Sequence, residues 1–314
     1  MRILRDFRFA TPEDRGASAA IGNFDGVHLG HQAVIDVARD GAARLGCPLG
    51  VVTFEPHPRE FFAPDAPPFR LMRAEARAHR LEKVGVDCLY ELSFTTALAG
   101  LSAEDFVREV LSDGLGLRHV VVGTDFRFGK GRAGDADTLK ALGPSHGFEV
   151  TIAELVEGPL GEVSSSNIRA ALGAGRPRDA AAMLGHWHRI EGTVVRGDQR
   201  GRELGYPTAN MSLSGLHLPR FGVYAVKVDI LSGDHRGSYR GAASLGVRPQ
   251  FGGEVPNLET FIFDFKGDLY GADLSVALVD FLRPEAKFET LEDLIAQMDA
   301  DCAAARAILS ELEA

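Results

Sequence analysis

The hydrophobic rhythm of the chain changes once along its length. In the first half, short apolar runs alternate with longer stretches whose apolar positions recur at helical spacing. Ala17–Gly22 (ASAAIG), Leu49–Phe54 (LGVVTF), Arg118–Gly123 (RHVVVG) and Phe148–Glu154 (FEVTIAE) read as strands. Helices are expected between them over Gly30–Leu45, with Val34, Val37, Ala38 and Leu45 near one face, and over Arg73–Val84 and Ala103–Leu111. This alternation predicts an α/β domain with a parallel sheet wound by helices. Near Gly185 the rhythm shortens. HRIEGTVVRG, GVYAVKVDI, YRGAASLG, LETFIFDF and LSVALVDFL are strand-like runs separated by Gly, Pro and Asp turns, the signature of an antiparallel barrel or sandwich. A final helix is expected, with Thr290 and Asp293 as a capping-box variant and a stripe of Leu291, Leu294, Ile295, Met298, Cys302, Ile308 and Leu312. The expected domains are 1–185 and 186–314.

Composition narrows the class. A chain of 314 residues suits two domains, and 45% hydrophobic with 25% charged residues suits an ordinary soluble globular protein with a sizeable core. Cys47, Cys88 and Cys302 form no CxxC pair, which suits a reducing compartment and gives cytoplasmic as the expected location. The charged opening MRILRDFRFATPEDRG lacks an apolar targeting segment, and no run is long enough to span a bilayer, so no membrane partner is expected. The net charge of −10 disfavours nucleic acid. Phosphorylated ligands would need locally concentrated positive charge.

Several loops supply it. IGNFDGVHLGHQ (Ile21–Gln32) follows a predicted strand and opens a predicted helix, where unpaired backbone N–H groups favour anions. Gly26 and Gly30 allow close backbone approach. His28 and His31, three positions apart, can donate to one phosphoryl group; a structural turn or a metal pair are the competing readings, the latter lacking a third ligand nearby. FEPHPREFF (Phe54–Phe62) ends the next strand; its prolines suggest an extended loop around His57, and Phe54, Phe61 and Phe62 suit either stacking or core. GTDFRFGKGRAGD gathers Arg127, Lys130 and Arg132 in a glycine-rich loop that suits phosphate or plain solvation. VSSSNIR gives three hydroxyls before a helix, able to cap it, with Arg169 in its first turn. In the second half, Thr208 and Asn210 share a face of an extended segment, so their oxygens can reach one hard cation or simply form a turn. Glu259 alternates with Phe261, Phe263 and Phe265, an unusual aromatic face for a carboxylate; it suits a general base, or a solvated glutamate on an edge strand.

IGNFDGVHLGH, FEPHP, GTDFRFGKGRAGD and VSSSNIR, in this order, resemble the nucleotidyltransferase module of bacterial bifunctional riboflavin kinase/FAD synthetases. GTVVRGDQRGRELGYPTANM, LPRFGVYAV, SLGVRPQFGG, ETFIFDFKGDLYG and FLRPEAKF resemble the riboflavin kinase module of the same family. The resemblance covers roughly residues 15–312. It implies a Rossmann-like N-terminal domain, then a six-stranded antiparallel β-barrel with a terminal helix. It implies riboflavin, FMN and ATP as substrates, with Mg2+ accompanying ATP, and leaves a homo-oligomer open.

The resemblance also implies site residues. His28, His31 and Arg169 would stabilise adenylyl transfer, and Glu259 would be the kinase base. ATP would meet Gly22, Asn23, Phe24, Gly26 and Gly30, together with Ser164, Ser165 and Ser166, in the first half. In the second half it would meet Gly197, Arg200, Arg202, Gly205 and Pro207, with Arg196 also offsetting charge. Flavin would meet Phe54, His57, Pro58, Phe62, Asp125, Phe128 and Arg283. The metal would be held by Thr208 and Asn210. Ser166, Ser244 and Gln250 depart from residues the family often has. Two rivals remain: an adenylyltransferase for another phosphorylated metabolite with a docking second half, and a flavin sensor without turnover.

Overall fold

A computed structural model describes residues 1–154, 157–158, 161–197, 205–250 and 253–312. They form two compact units, Met1–Pro67 with Arg77–Val163, and Pro68–Ala76 with Ser164–Ala314.

The first unit is built on a six-stranded parallel sheet in the order Arg2–Leu4, Cys88–Ser93, Leu49–Glu55, Ser18–Ile21, His119–Gly123, Glu149–Ala153. The central strand Ser18–Ile21 is buried throughout, which is why its run reads apolar without alternation. The four expected strands are present. Two more were not expected. Arg2–Leu4 is a three-residue edge strand. Cys88–Ser93 carries Glu91 in mid-run, and a buried carboxylate breaks the apolar signal that would have marked it. Helix Leu29–Leu45 follows the central strand, ending at Gly46 in the left-handed region. The expected helix Ala103–Leu111 is corrected in pitch. One α-turn, Ala103–Asp105, passes into a π-helix over Phe106–Gly114 that buries Phe106, Val107, Val110 and Leu111. Its buried positions recur every fourth residue, a spacing that an α-turn and the wider π-turn both accommodate, so the pattern could not separate them.

The second unit is a six-stranded antiparallel sheet in the order Arg189–Thr193, Asp273–Arg283, Gly222–Ile230, Gly237–Gln250, Gly253–Ile262, Thr208–Ser212. Among the described residues it curls nearly shut through one bridge, where the Val195 N–H donates to the Asn210 carbonyl at 2.9 Å. Its interior is filled by alternating inward residues, among them Ile190, Met211, Tyr224, Val226, Leu245, Leu258 and Leu278. Helix Leu291–Glu311 lies on the outside, burying Ala305 and Leu309 against Ala225, Ala242, Phe263 and Val279. Thr290 caps it by accepting from the Asp293 N–H at 3.1 Å. The expected stripe needs correction. Leu291 and Leu312 are 51% and 38% exposed, and the buried line runs through Asp301, Ala305 and Leu309. Asp301 can be buried because Arg283 grips it with Nε and Nη2 at 2.8–3.0 Å.

Pro68–Ala76 belongs with this unit through backbone contact of Arg70 with Leu216 and through Arg73, which donates to the carbonyls of Glu191, Ser212 and Ser214. No helix among the described residues is long and apolar enough to cross a membrane.

His188 gives the second unit a pH signature. It is buried, and burial first, then neighbouring His186 and His217, push its pKa down to about 3 from an ordinary value near 6.5. Below pH 6.5 the unfolded chain takes up a proton that the folded chain refuses. Stability therefore falls as pH drops from 6.5 toward 3, by up to about 1.4 kcal/mol per pH unit. Denaturant unfolding at pH 7 and pH 5 should show a loss of about 2 kcal/mol from this group, and His188→Gln should remove that share.

Candidate functional site

The loop leaving the central strand is strained. Phe24 and Val27 have φ of 51° and 45°, and Gly26 of 91°. A β-branched residue in the left-handed region costs about 1–3 kcal/mol and persists only where the surroundings fix it. Here Val27 is fully buried, its carbonyl accepts from Gln32 Nε2 at 2.8 Å, and Phe24 is 1% exposed. This geometry turns the chain so that His28 becomes the N-cap of the helix. Its Nδ1 accepts the His31 N–H at 3.2 Å, so the neutral ring carries its proton on Nε2.

The two imidazoles stack, with ring centroids 3.6 Å apart and planes 16° from parallel. Gly30 makes room for this: a Cβ there would lie 3.1 Å from His28 Nδ1. His31 is held well below the ordinary imidazole pKa by burial and then by His28, so it is neutral at pH 7. Its Nδ1 is shielded from solvent and has no protein partner. In the tautomer that carries its proton on Nδ1, this neutral ring at a helix N-terminus can donate to a phosphoryl oxygen. Gly22 and Asn23 line the start of this turn, with Asn23 exposed. Among the described residues, no group of three or more His, Cys, Asp or Glu side chains is placed to hold a metal ion.

The FEPHP segment departs from expectation. It is not extended after His57: Pro58 opens a short helix, Pro58–Phe62, with His57 as N-cap and Glu60 completing a capping box. Proline at the first helical position brings a suitable φ and lacks an N–H that would be unpaired. His57 is buried, and its Nδ1 accepts from the Arg59 N–H at 3.0 Å. Phe54, Phe61 and Phe62 all meet Phe94 edge-on, at 5.7, 5.2 and 5.8 Å. Phe62 is 68% exposed, so this cluster presents an open aromatic surface. Phe94 was missed by motif reading; its signal is an aromatic residue just past a strand. Phe128 lies inside, 7% exposed and stacked on Phe126 at 5.4 Å. Asp125, Lys130 and Arg132 are exposed on their loop, and Arg127 pairs loosely with Asp135 at 3.6 Å.

In the second unit, Ser164 caps helix Ser165–Gly173, accepting from the Asn167 N–H at 3.3 Å. Ser165 is half-buried and Ser166 exposed. Arg169 is the fifth residue of this helix, not in its first turn, which weakens the dipole argument. Its guanidinium donates to Ser166 Oγ at 3.3 Å and lies 5.7 Å from the Phe69 ring centre.

On the barrel, strand register assembles the second constellation. Asn210 pairs directly with Glu259, Thr208 with Phe261 and Ser212 with Asn257. Glu259 pairs on its other side with Ser244. Ala209, Met211, Leu258 and Leu245 point into the barrel, so Thr208, Asn210, Glu259 and Ser244 share its outer face. Asn210 and Glu259, directly opposite, have Cβ atoms about 5 Å apart. Asn210 is buried; its Oδ1 accepts from Asn257 Nδ2 at 3.0 Å, and its own Nδ2 donates to the Thr208 carbonyl at 3.2 Å. Asn257 was not singled out by the motifs, although its i, i+2 spacing to Glu259 could have marked it. Tyr206, also missed, donates to Asp299 of the terminal helix and packs on Phe261 at 5.0 Å.

The remaining positions are spread. Gly205 has a positive φ, and Pro207 beside it is exposed. Gly197 is half-buried, and Arg196 stacks over Tyr270 at 5.4 Å. Arg200, Arg202 and the side chain of Gln250 lie outside the described residues. Arg283 spends Nε and Nη2 on Asp301, and its Nη1 on the Pro284 carbonyl at 3.0 Å.

A family profile for FAD synthetase matches residues 10–167, and one for riboflavin kinase matches residues 184–309. A bifunctional riboflavin kinase/FMN adenylyltransferase of Pseudomonas fluorescens is 45% identical over 98% of both chains. The chain belongs to this bifunctional family. The correspondingly named protein of Listeria monocytogenes is 38% identical over 94% of this chain and 93% of its own. That of Escherichia coli K12 is 37% identical over 98% and 97%. A crystal structure described as a macrolide-efflux protein from Streptococcus pneumoniae shares the fold at a TM-score of 0.81, with 33% identity over 95% of this chain and 96% of that one. The riboflavin kinase/FMN adenylyltransferase family thus accounts for both halves. The histidine loop falls within the FAD synthetase match, and the row Thr208–Asn210–Glu259 within the riboflavin kinase match.

Proposed function

We propose that this chain converts riboflavin to FAD by two ATP-dependent transfers, one in each half. The observation that carries this reading is that each matched half encloses an assembled set of polar groups: stacked neutral histidines at a helix N-terminus in one, and a carboxylate opposite Asn210 in the other.

In the C-terminal reaction Glu259 takes the proton of the ribityl 5′-hydroxyl. The oxygen attacks the γ-phosphorus of ATP, and ADP leaves with the β–γ bridging oxygen. Thr208 and Asn210 would hold Mg2+. Their neutral hard oxygens suit an ion that keeps several waters and shares its shell with ATP phosphates, and the register beside Glu259 fits that arrangement. When bound, the ion offsets phosphate charge and orients the γ-phosphoryl group. Arg196 adds positive charge from the same segment, and Arg200 and Arg202 are assigned the same task by their motif.

In the N-terminal reaction an FMN phosphate oxygen attacks the α-phosphorus of a second ATP, and pyrophosphate leaves. The nucleophile is already ionised, so the chain must supply orientation and charge stabilisation, not a strong base. His28, through Nε2–H, and His31 take this role, with Asn23 and the backbone of Gly22, Phe24, Gly26 and Gly30 beside the phosphates. Arg169 and the Ser164–Ser166 hydroxyls are assigned to ATP by their motif. The aromatic surface around Phe62 and Phe54, edged by Pro58, supports the isoalloxazine ring. His57, Phe128 and Asp125 are assigned to the flavin by their motifs. Arg283, in the barrel half, is assigned to flavin by its motif, and keeps a second N–H on each of Nη1 and Nη2 beyond the bonds to Asp301 and the Pro284 carbonyl. We assign residues 1–185 to adenylyl transfer and 186–314 to the kinase. Three free cysteines support a reducing, cytoplasmic setting.

One incubation with riboflavin and Mg-ATP, resolved by chromatography, tests the reading. FMN and then FAD should appear, with ADP and pyrophosphate. FMN without FAD would remove the N-terminal assignment; FAD from supplied FMN but not from riboflavin would remove the C-terminal one.

A further inference from the structure

Beneath the loops of the first unit lies a buried arginine that no motif contains. Arg77, on helix Ala74–Lys83, is 1% exposed. Its Nη1 donates to the Asn23 carbonyl at 3.3 Å. Its Nη2 is shared between Glu55 Oε2 and Glu91 Oε2, each at 3.1 Å. Glu91 is itself 4% exposed and receives Arg5 Nε at 3.3 Å. The Asn23 carbonyl gains a second donor in Thr53 Oγ1 at 3.2 Å.

These acceptors come from three neighbouring strands of the sheet. Asn23 follows Ser18–Ile21, Glu55 ends Leu49–Glu55, and Glu91 lies within Cys88–Ser93. One guanidinium therefore ties together the ends from which the histidine loop and the FEPHP segment depart. The carbonyl it grips belongs to the peptide leading into Phe24, the first left-handed residue of the strained turn. A buried ionic cluster is a costly way to gain stability, since well-packed apolar groups serve as well. Its geometric precision is what an apolar set lacks.

We propose that Arg77 is a positioning residue for adenylyl transfer: it fixes the Asn23–Phe24 peptide, and through it the angle at which His28 and His31 meet the α-phosphoryl group. This rests on the reading of the histidine loop given above. The kinase activity of the same chain provides an internal standard for folding. In full-length Arg77→Met, kcat for FAD formation from FMN should fall about 10- to 100-fold, because a displacement near 1 Å in a reacting geometry costs that much. KM for ATP should stay within about threefold, and riboflavin phosphorylation within about twofold. Arg77→Lys keeps the charge but replaces the fork with a point donor, and should fall in between, about fivefold down. Leu81→Ala, fully buried on the same helix, should destabilise the unit yet leave kcat per folded molecule unchanged.

Wild-type kcat in Arg77→Met overturns the proposal, as does an equal fall in Leu81→Ala or a parallel fall in kinase activity. If Arg77→Met does not fold, Arg77→Lys decides: retained kinase with reduced FAD formation supports the proposal, and both at wild-type rates overturn it. A wild-type chain that makes no FAD from FMN would instead sink the histidine reading itself.

Discussion

Glu259→Gln should lower riboflavin phosphorylation about 10²- to 10⁴-fold, the usual worth of a positioned general base. The amide keeps the size and hydrogen-bonding capacity of the side chain but cannot take the 5′-hydroxyl proton. Because Glu259 sits opposite Asn210 on the outer face of the barrel, the substitution leaves the interior packing of Leu258 and Ile262 untouched. Adenylylation of supplied FMN should continue within about twofold of wild type, since that chemistry is assigned to other residues. Initial rates of ADP release with riboflavin, set beside pyrophosphate release with FMN, give both numbers from one preparation. A Glu259→Gln chain that phosphorylates riboflavin at the wild-type rate would leave the barrel site without its base.

His28→Ala should do the reverse. Loss of one preorganised donor to the transition state costs about 10²- to 10³-fold in FAD formation, while FMN formation persists. The substitution also removes an N-cap, worth about 1 kcal/mol, so lost activity alone would not separate catalysis from helix stability. His28→Asn separates them. Asparagine caps well but cannot reproduce the Nε2 donor, so it should recover the thermal stability lost in His28→Ala while FAD formation stays low. Recovery of FAD formation by His28→Asn would mean that His28 acts through the helix alone.

The two constellations were legible because each is carried by local spacing. HxGH places two imidazoles within one helical turn, and a helix N-terminus is visible as the end of an apolar strand. Thr208 and Asn210 share a face by period two. That they face Glu259 depends on strand register, which a single sequence leaves open, and the bridge pairs supply it. What was not legible depends on long-range pairing. Glu91 interrupts the apolar run of its strand, and the arginine that makes this tolerable lies on a separate helix. Asp301 hides the true buried line of the terminal helix for the same reason, since Arg283 is 18 residues away. The short helix after His57 was hidden by its prolines, one of which starts a helix where two together suggest an extended loop. The buried residues of Phe106–Gly114 recur every fourth position, which suits an α-turn as well as a π-turn, so the residue pattern does not reveal the pitch.

The central claim is that one chain holds two separable sites whose reactions run in series. Mixing tests it most directly. Glu259→Gln and His28→Ala alone should each make FAD from riboflavin and Mg-ATP at least about 10²-fold more slowly than wild type, the first limited at riboflavin and the second at FMN. Combined in one tube, they should produce FAD, because FMN released by the His28→Ala chain meets an intact N-terminal site on the other. FAD formation by the mixture at a rate at least about tenfold above that of either variant alone is the predicted result. FAD made from riboflavin by either variant alone at wild-type rate, or none made by the mixture while FMN accumulates, would contradict the account.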